Sequence, residues 1–169
     1  MSNHLSARHG LMAERVSRGL GALALLVVGG VHLEQYQVAH FSVIPTIGPL
    51  FLANFIAATT IGLILLARLT ASVGPRRLRF DSAAALSGVA VATGSFAALL
   101  ISEHTPLFGF MEHGYRLEIV IALAAEAVAV VSLTVFLACA DRHQQWLHGT
   151  AVSDGSRAEA FRQRAREAQ

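Results

Sequence analysis

The stretch L-E-I-V-I-A-L-A-A-E-A-V-A-V-V-S-L-T-V-F-L-A-C-A, residues 117–140, decides the fold. Coiled as a helix, its 24 residues reach ~36 Å, enough to cross the ~30 Å hydrocarbon layer of a membrane. Only two of them, Glu118 and Glu126, are charged. Three further apolar runs precede it, at 19–36, 47–67 and 83–102. The first is the weakest. Its unbroken part, 19–31, covers only ~20 Å, so a crossing has to draw in His32, Leu33, Glu34, Gln35 and Tyr36.

The arginines set the orientation. Twelve of the thirteen (Arg8, Arg15, Arg18, Arg68, Arg76, Arg77, Arg79, Arg142, Arg157, Arg162, Arg164 and Arg166) fall in alternate compartments, and only Arg116 falls in the other. Under the positive-inside rule both termini and the 68–81 loop are cytoplasmic, and loops 37–46 and 103–116 face outward. The expected architecture is all-α, an integral membrane four-helix bundle with both termini cytoplasmic. Residues 1–16 form a cytoplasmic N-terminal segment, 17–140 carry the four spans (about 17–36, 47–69, 82–102 and 116–140), and 141–169 form a charged cytoplasmic tail.

Composition agrees with this class. The 169 residues are 54% hydrophobic and 14% charged, whereas a soluble domain carries roughly 25% charged residues. The net charge of +2 conceals a polarity, because the positive excess sits on one side and favours anionic lipid headgroups at the cytoplasmic face. Nucleic acid is a poor partner, since the arginines are split among three segments bordering the bilayer. The lack of lysine fits a GC-rich bacterial genome, and hence the bacterial cytoplasmic (inner) membrane. The single cysteine, Cys139, allows no intrachain disulfide, CxxC pair or thiolate cluster. The long charged leader and the lack of a small-x-small site make the first helix a retained signal anchor.

Local signals punctuate the spans. Thr46 is placed to cap the second helix, with Pro49 tolerated in its first turn, and Asp81 to cap the third. The third helix carries Ala84-xxx-Gly88-xxx-Ala92 and Ala90-xxx-Gly94-xxx-Ala98, small-residue series that let helices approach closely, within the chain, in a homo-oligomer or in a larger membrane complex.

Polar residues at matched depth carry the functional reading. Glu126 lies nine residues below Leu117, about 14 Å into the bilayer. A carboxylate near midplane costs about 2.5–3.5 kcal/mol on the insertion scale, so it turns toward the bundle and seeks partners. Asn54, Thr93 and Ser95 lie at similar depths. On the first helix Gly29, His32 and Tyr36 share a stripe. Glu118 lies on a seam with Ala122, Ala125 and Ala129, with Glu126 at its flank. Glu126, Asn54, His32, Tyr36, Ser95 and Glu118 thus line a polar funnel that opens outward. Each also has a plainer reading: Glu126 and Asn54 as hydrogen-bonding glue between helices, His32 as an interfacial donor. His32, His104 and His113 could converge on zinc or copper, or a pair of them on haem, although their spacing matches no known site. Arg116 is expected to pair with Glu112 or Glu118.

The stretches V-H-L-E-Q-Y (31–36), I-P-T-I-G-P-L-F-L-A-N (44–54) and L-F-G-F-M-E (107–112) resemble a recurrent pattern of uncharacterised small four-span bacterial membrane proteins. That resemblance spans roughly residues 19–130 and implies a common four-helix fold, with no activity or cofactor attached. The DoxX-like small membrane proteins are similar in topology only. The expectation is a non-enzymatic membrane protein with an outward-facing intramembrane polar site for a small ligand, quinol headgroup or cation. The alternatives are an accessory subunit of a membrane complex with no ligand site, and a haem- or metal-binding redox component.

Overall fold

The computed structural model describes the backbone of residues 2–69, 75–109, 111 and 116–167, and the side chains of 10, 12–69, 78–109, 111, 116–142 and 145. Four helices organise these residues: α1 (Ser2–Gln37), α2 (Ile47–Ala67), α3 (Pro75–His104) and α4 (Leu117–Glu167), with a 3₁₀ turn at Phe41–Val43. Each holds a segment long and apolar enough to cross a membrane: Met12–Gln37, Ile47–Ala67, Leu78–His104 and Leu117–Arg142. Among the described residues the chain is all-helical, with four helices that suit a multi-pass membrane protein.

Helix α2 ends within its expected span, while α1, α3 and α4 overrun theirs. Helix α1 includes the polar leader, and α4 continues through the charged tail to Glu167. Helix α3 begins at Pro75, whose fixed φ and missing N–H suit a first helical turn. Asp81 is therefore not a cap. It lies inside α3, 2% exposed, and serves another purpose described below. Thr46 does stand at the start of α2, but with φ 70° and no side-chain cap bond. Backbone groups make that start instead: Gly48 N–H donates to Ile44 O at 3.0 Å, and Leu50 N–H to Thr46 O at 3.2 Å. Gly48 is required there, since a Cβ would stand 2.8 Å from Phe41 O of the 3₁₀ turn.

Helices α1 and α4 form the buried centre, and α2 and α3 are far more exposed. Helix α1 packs along both α2 and α4, α4 also packs on α3, and α2 and α3 share the thinnest seam between neighbours. The core is Ala22, Leu25 and Val28 of α1, Ala58 and Leu65 of α2, Ala85 and Ala92 of α3, and Ala129, Leu133 and Phe136 of α4. Gly88 permits the α3 approach, because a Cβ there would meet Leu133 and Leu25 side chains at 2.8 and 2.9 Å. Of the two small-residue series of α3, only the one through Gly88 is packed. Ala90 and Gly94 are exposed.

One end of the bundle, where α1 and α3 enter and α2 leaves, carries an ionic knot. Arg18 Nη1 donates to Asp81 Oδ2 at 2.9 Å and Arg68 Nη1 to Asp81 Oδ1 at 3.1 Å. Arg18 Nη2 also donates to the Arg68 carbonyl at 3.2 Å, satisfying a carbonyl just past the end of α2. The Arg18 guanidinium lies 5.8 Å from the Phe136 ring of α4, and that of Arg68 stands 4.2 Å over Phe80. All four helices are thereby tied at this arginine end. Arg18 and Asp81 are both buried, so removing one charge leaves the other stranded. Asp81→Asn is expected to destabilise the bundle by about 3–5 kcal/mol, measured by denaturant unfolding in micelles. Neutralising the partly exposed Arg68 is expected to cost clearly less.

Candidate functional site

Toward the opposite end, beside the loop 38–46, each helix turns polar side chains inward. On α1 the buried stripe steps through Leu25, Val28, His32 and Gln35. On α4 it steps through Ile119, Ala122, Glu126, Ala129, Leu133, Phe136 and Ala140. Glu126 therefore lies on the seam itself, not at its flank. Helix α3 contributes Ser95 and Ser102 in register with Gly88, and α2 contributes Asn54.

His32 is the hub. Its Nδ1 lies 2.8 Å from the Val28 carbonyl, which can only accept, so Nδ1 carries the proton. In the neutral ring Nε2 is then the acceptor. Asn54 Nδ2 donates to it at 2.9 Å, and Ser95 Oγ stands at 3.0 Å. This tautomer dictates the Asn54 amide orientation, turning Oδ1 away from the ring. One ring lone pair faces two donors, and the Ser95 hydroxyl is the one free to rotate. Ser95 also lines the same cavity as Glu126. The four residues surround one chamber, one from each helix.

Two of its atoms have no protein partner among the described residues. Asn54 Oδ1 and Glu126 Oε2 are buried and accept from nothing. The Glu126 side chain is among the most buried of the chain, at 1% exposure. Unpartnered polar atoms of this kind cost about 1–3 kcal/mol each and call for an explanation.

A cavity of about 420 Å³ lies against this group. His32, Asn54, Ser95, Glu126 and Glu118 all line it, together with Gln35 and Ser102. The rest of the wall is apolar, including Val31, Ile47, Phe51, Ala57, Val91 and Leu99. It is thus a largely apolar chamber with one polar floor, where the sequence had suggested a hydrophilic funnel. Phe51 packs against the His32 ring at 5.1 Å and against Phe41 at 5.2 Å. Below Glu126 the bundle axis is filled by Leu133 and Phe136, both fully buried.

Other sequence candidates are placed differently. Tyr36 is half-buried and does not line the cavity, since it sits one residue round from Gln35. Gln35 takes its place and accepts from Arg116 Nη2 at 3.3 Å. The Arg116 guanidinium also lies 5.8 Å from the Phe41 ring. Thr93 is exposed and outside the polar layer. His104 is exposed, with Nδ1 3.0 Å from Leu100 O, while His32 has both nitrogens engaged within the bundle. His113 and Glu112 lie outside the described residues, and among the described residues no three His, Cys, Asp or Glu side chains converge as a metal set. Three non-glycine residues with positive φ, His40, Thr46 and Phe108, all lie in the two loops at this end.

No family model, curated protein or solved structure matches the chain.

The hydrogen bonds of this group are modest as glue. Interhelical side-chain bonds in membranes average about 0.6 kcal/mol and rarely exceed about 1.7. Asn54→Leu is accordingly expected to lower bundle stability by no more than about 2 kcal/mol. In ¹⁵N spectra of histidine-labelled protein it is expected to leave the His32 Nδ1–H signal in place while shifting that of Nε2.

Proposed function

We propose that this protein binds a small ligand in a polar site within the outer half of a bacterial cytoplasmic membrane. Both termini lie in the cytoplasm on this reading, because the arginine end of the bundle takes the cytoplasmic side and the two-loop end faces out. The absence of lysine from a chain with thirteen arginines accords with a bacterial source. The observation that carries the binding role is the pair of unpartnered acceptors, Asn54 Oδ1 and Glu126 Oε2, beside a cavity of about 420 Å³. That size falls within the ~300–1,000 Å³ of small-molecule sites. An apolar chamber with a few convergent polar groups is also the usual composition of such sites.

Among the ligands considered, a bare cation is the least suited. The cavity wall is mainly hydrocarbon, and its two carboxylates, Glu118 and Glu126, lie eight residues apart on one helix. A molecule with an apolar body and a hydrogen-bonding head fits better, the head meeting Asn54 and Glu126. A quinol headgroup is one such molecule. Haem or metal finds little support in the placement of His32 and His104.

A second reading has its own observation. Ala83, Ser87, Ala90, Gly94 and Ala97 form an exposed stripe of small residues along α3. In a membrane such a face suits a partner helix, which favours an accessory subunit or a homo-oligomer. Stoichiometric co-purification of another chain from native membranes, lost on Gly94→Leu, would support that role.

Topology is tested by cysteine accessibility in a Cys139→Ala background. Cysteines at Ser42 and Thr105 are expected to react with an impermeant maleimide from outside intact cells, and one at Gln145 only after lysis. The ligand is tested by native mass spectrometry of protein purified from native membranes in mild detergent. A bound small molecule is expected in the wild type and absent from both Glu126→Leu and Asn54→Leu. Glu126→Leu is expected to leave the bundle at least as stable as the wild type, because it removes a buried acid with an unpartnered oxygen. A large loss of stability with no loss of ligand would make Glu126 packing glue.

A further inference from the structure

The cavity reaches the lipid-facing surface along one side. Ala53 of α2 and Ala90 and Gly94 of α3 line it and are exposed, so its wall runs onto the outside of the bundle between these helices. Ala57 and Ala98 flank them, half-buried. These positions carry only methyl groups and a glycine, while Leu50, one turn before Ala53, is a longer exposed side chain that also lines the cavity. A Cβ built at Gly94 would meet nothing within 4 Å. The α2–α3 seam is also the thinnest between neighbouring helices, which leaves the space open. Asn54 and Ser95, next in sequence to Ala53 and Gly94, turn inward from the same two helices and hold the polar floor. The mouth therefore lies at the depth of the hydrocarbon, and its floor offers acceptors.

We infer that the site takes a lipid-dissolved amphiphile with a hydroxyl head, admitted sideways from the bilayer between α2 and α3. This rests on the ligand-binding reading above and adds the ligand class and the route. A hydroxyl matches the floor because it can donate to Asn54 Oδ1, which only accepts, and can donate to or accept from the Glu126 carboxyl, whose Oε2 also has no partner among the described residues. An ether or ester oxygen brings no donor and leaves Asn54 Oδ1 unsatisfied. A permanently charged head would exchange its hydration for a wall that is mostly alanine, valine, leucine and phenylalanine. The apolar body lies against Val31, Phe51, Val91 and Leu99 and can trail through the slot into lipid, so the chamber need not enclose it all.

The full-length protein in liposomes is photolabelled with a diazirine-bearing long-chain alkylphenol and with its methyl ether, and the labelled peptides are identified by mass spectrometry. The phenol is expected to label residues 50–57 and 90–98 saturably, with the ether weaker by at least about tenfold. Gly94→Leu, at an exposed position where a Cβ meets nothing within 4 Å, is expected to keep the wild-type melting midpoint and lose saturable labelling. A sulfonated phenol confined to water is expected not to compete. Equal labelling by phenol and ether overturns the hydroxyl head. Wild-type labelling of Gly94→Leu, or competition by the sulfonate, overturns the lateral route. If either happens while a co-purified molecule is still lost from Glu126→Leu, the inference falls and the binding site stands. If no molecule co-purifies and neither probe labels the site, both fall together.

Discussion

The bond from His32 Nδ1–H to the Val28 carbonyl, 2.8 Å long and wholly within α1, sets the character of the polar layer. A helix carbonyl four residues back accepts and cannot donate, so the ring has one tautomer available while neutral. Its other nitrogen must receive, which recruits the Asn54 amide N–H from α2 and the Ser95 hydroxyl from α3. Ser95 shares a cavity wall with Glu126 of α4. A local contact on one helix thus governs the hydrogen-bond direction of side chains on two others. It also decides which atoms are left over. Had Nε2 carried the proton, Asn54 would present its oxygen to the ring and its amide N–H groups to the cavity, and the floor would be donor-rich.

The two ends of the bundle solve the same problem with different chemistry. Polar groups in hydrocarbon have to find each other, because no solvent competes for them. At the arginine end the solution is ionic: both Asp81 oxygens receive guanidinium donors and the Phe136 ring lies against Arg18, although Arg18 Nε has no partner among the described residues. At the two-loop end it is neutral in His32, Asn54 and Ser95, and open beside a chamber. The ionic knot fixes helix register at one end, and the filled axis at Leu133 and Phe136 carries that register upward. The open group can then stay under-satisfied without loosening the bundle.

The four helices were legible in the sequence because they depend on sums. Four apolar runs survive an error of a few residues and return as four helices long and apolar enough to cross a membrane. The polar layer was legible by depth alone: seven or nine residues from a helix end is a distance along an axis, and His32, Asn54, Ser95 and Glu126 do meet. What failed was rotation about that axis. Glu126 was set at the flank of α4 because a seam of Glu118, Ala122, Ala125 and Ala129 fits small residues as well as the true one. The phase is decided lower down, by Leu133 and Phe136, seven and ten residues on from Glu126. Tyr36 lost its place to Gln35 by the same one-residue turn. Asp81 read as a cap from its local neighbours, since its partner Arg18 is 63 residues away in the chain.

The lateral slot shows where such reading ends. Ala90-xxx-Gly94-xxx-Ala98 and Ala84-xxx-Gly88-xxx-Ala92 have the same spacing and the same small residues, and sequence offers no reason to separate them. The fold does separate them, because the ionic knot and the Gly88 contact commit one face of α3 to α4 and α1. The other face, with Ala90 and Gly94, stays exposed beside the thin α2–α3 seam and lines the cavity. Small residues that would close a seam against a packed helix leave it open where nothing packs on them. The same composition that suits helix packing becomes an opening, and its place beside Asn54 and Ser95 puts that opening next to the unsatisfied acceptors.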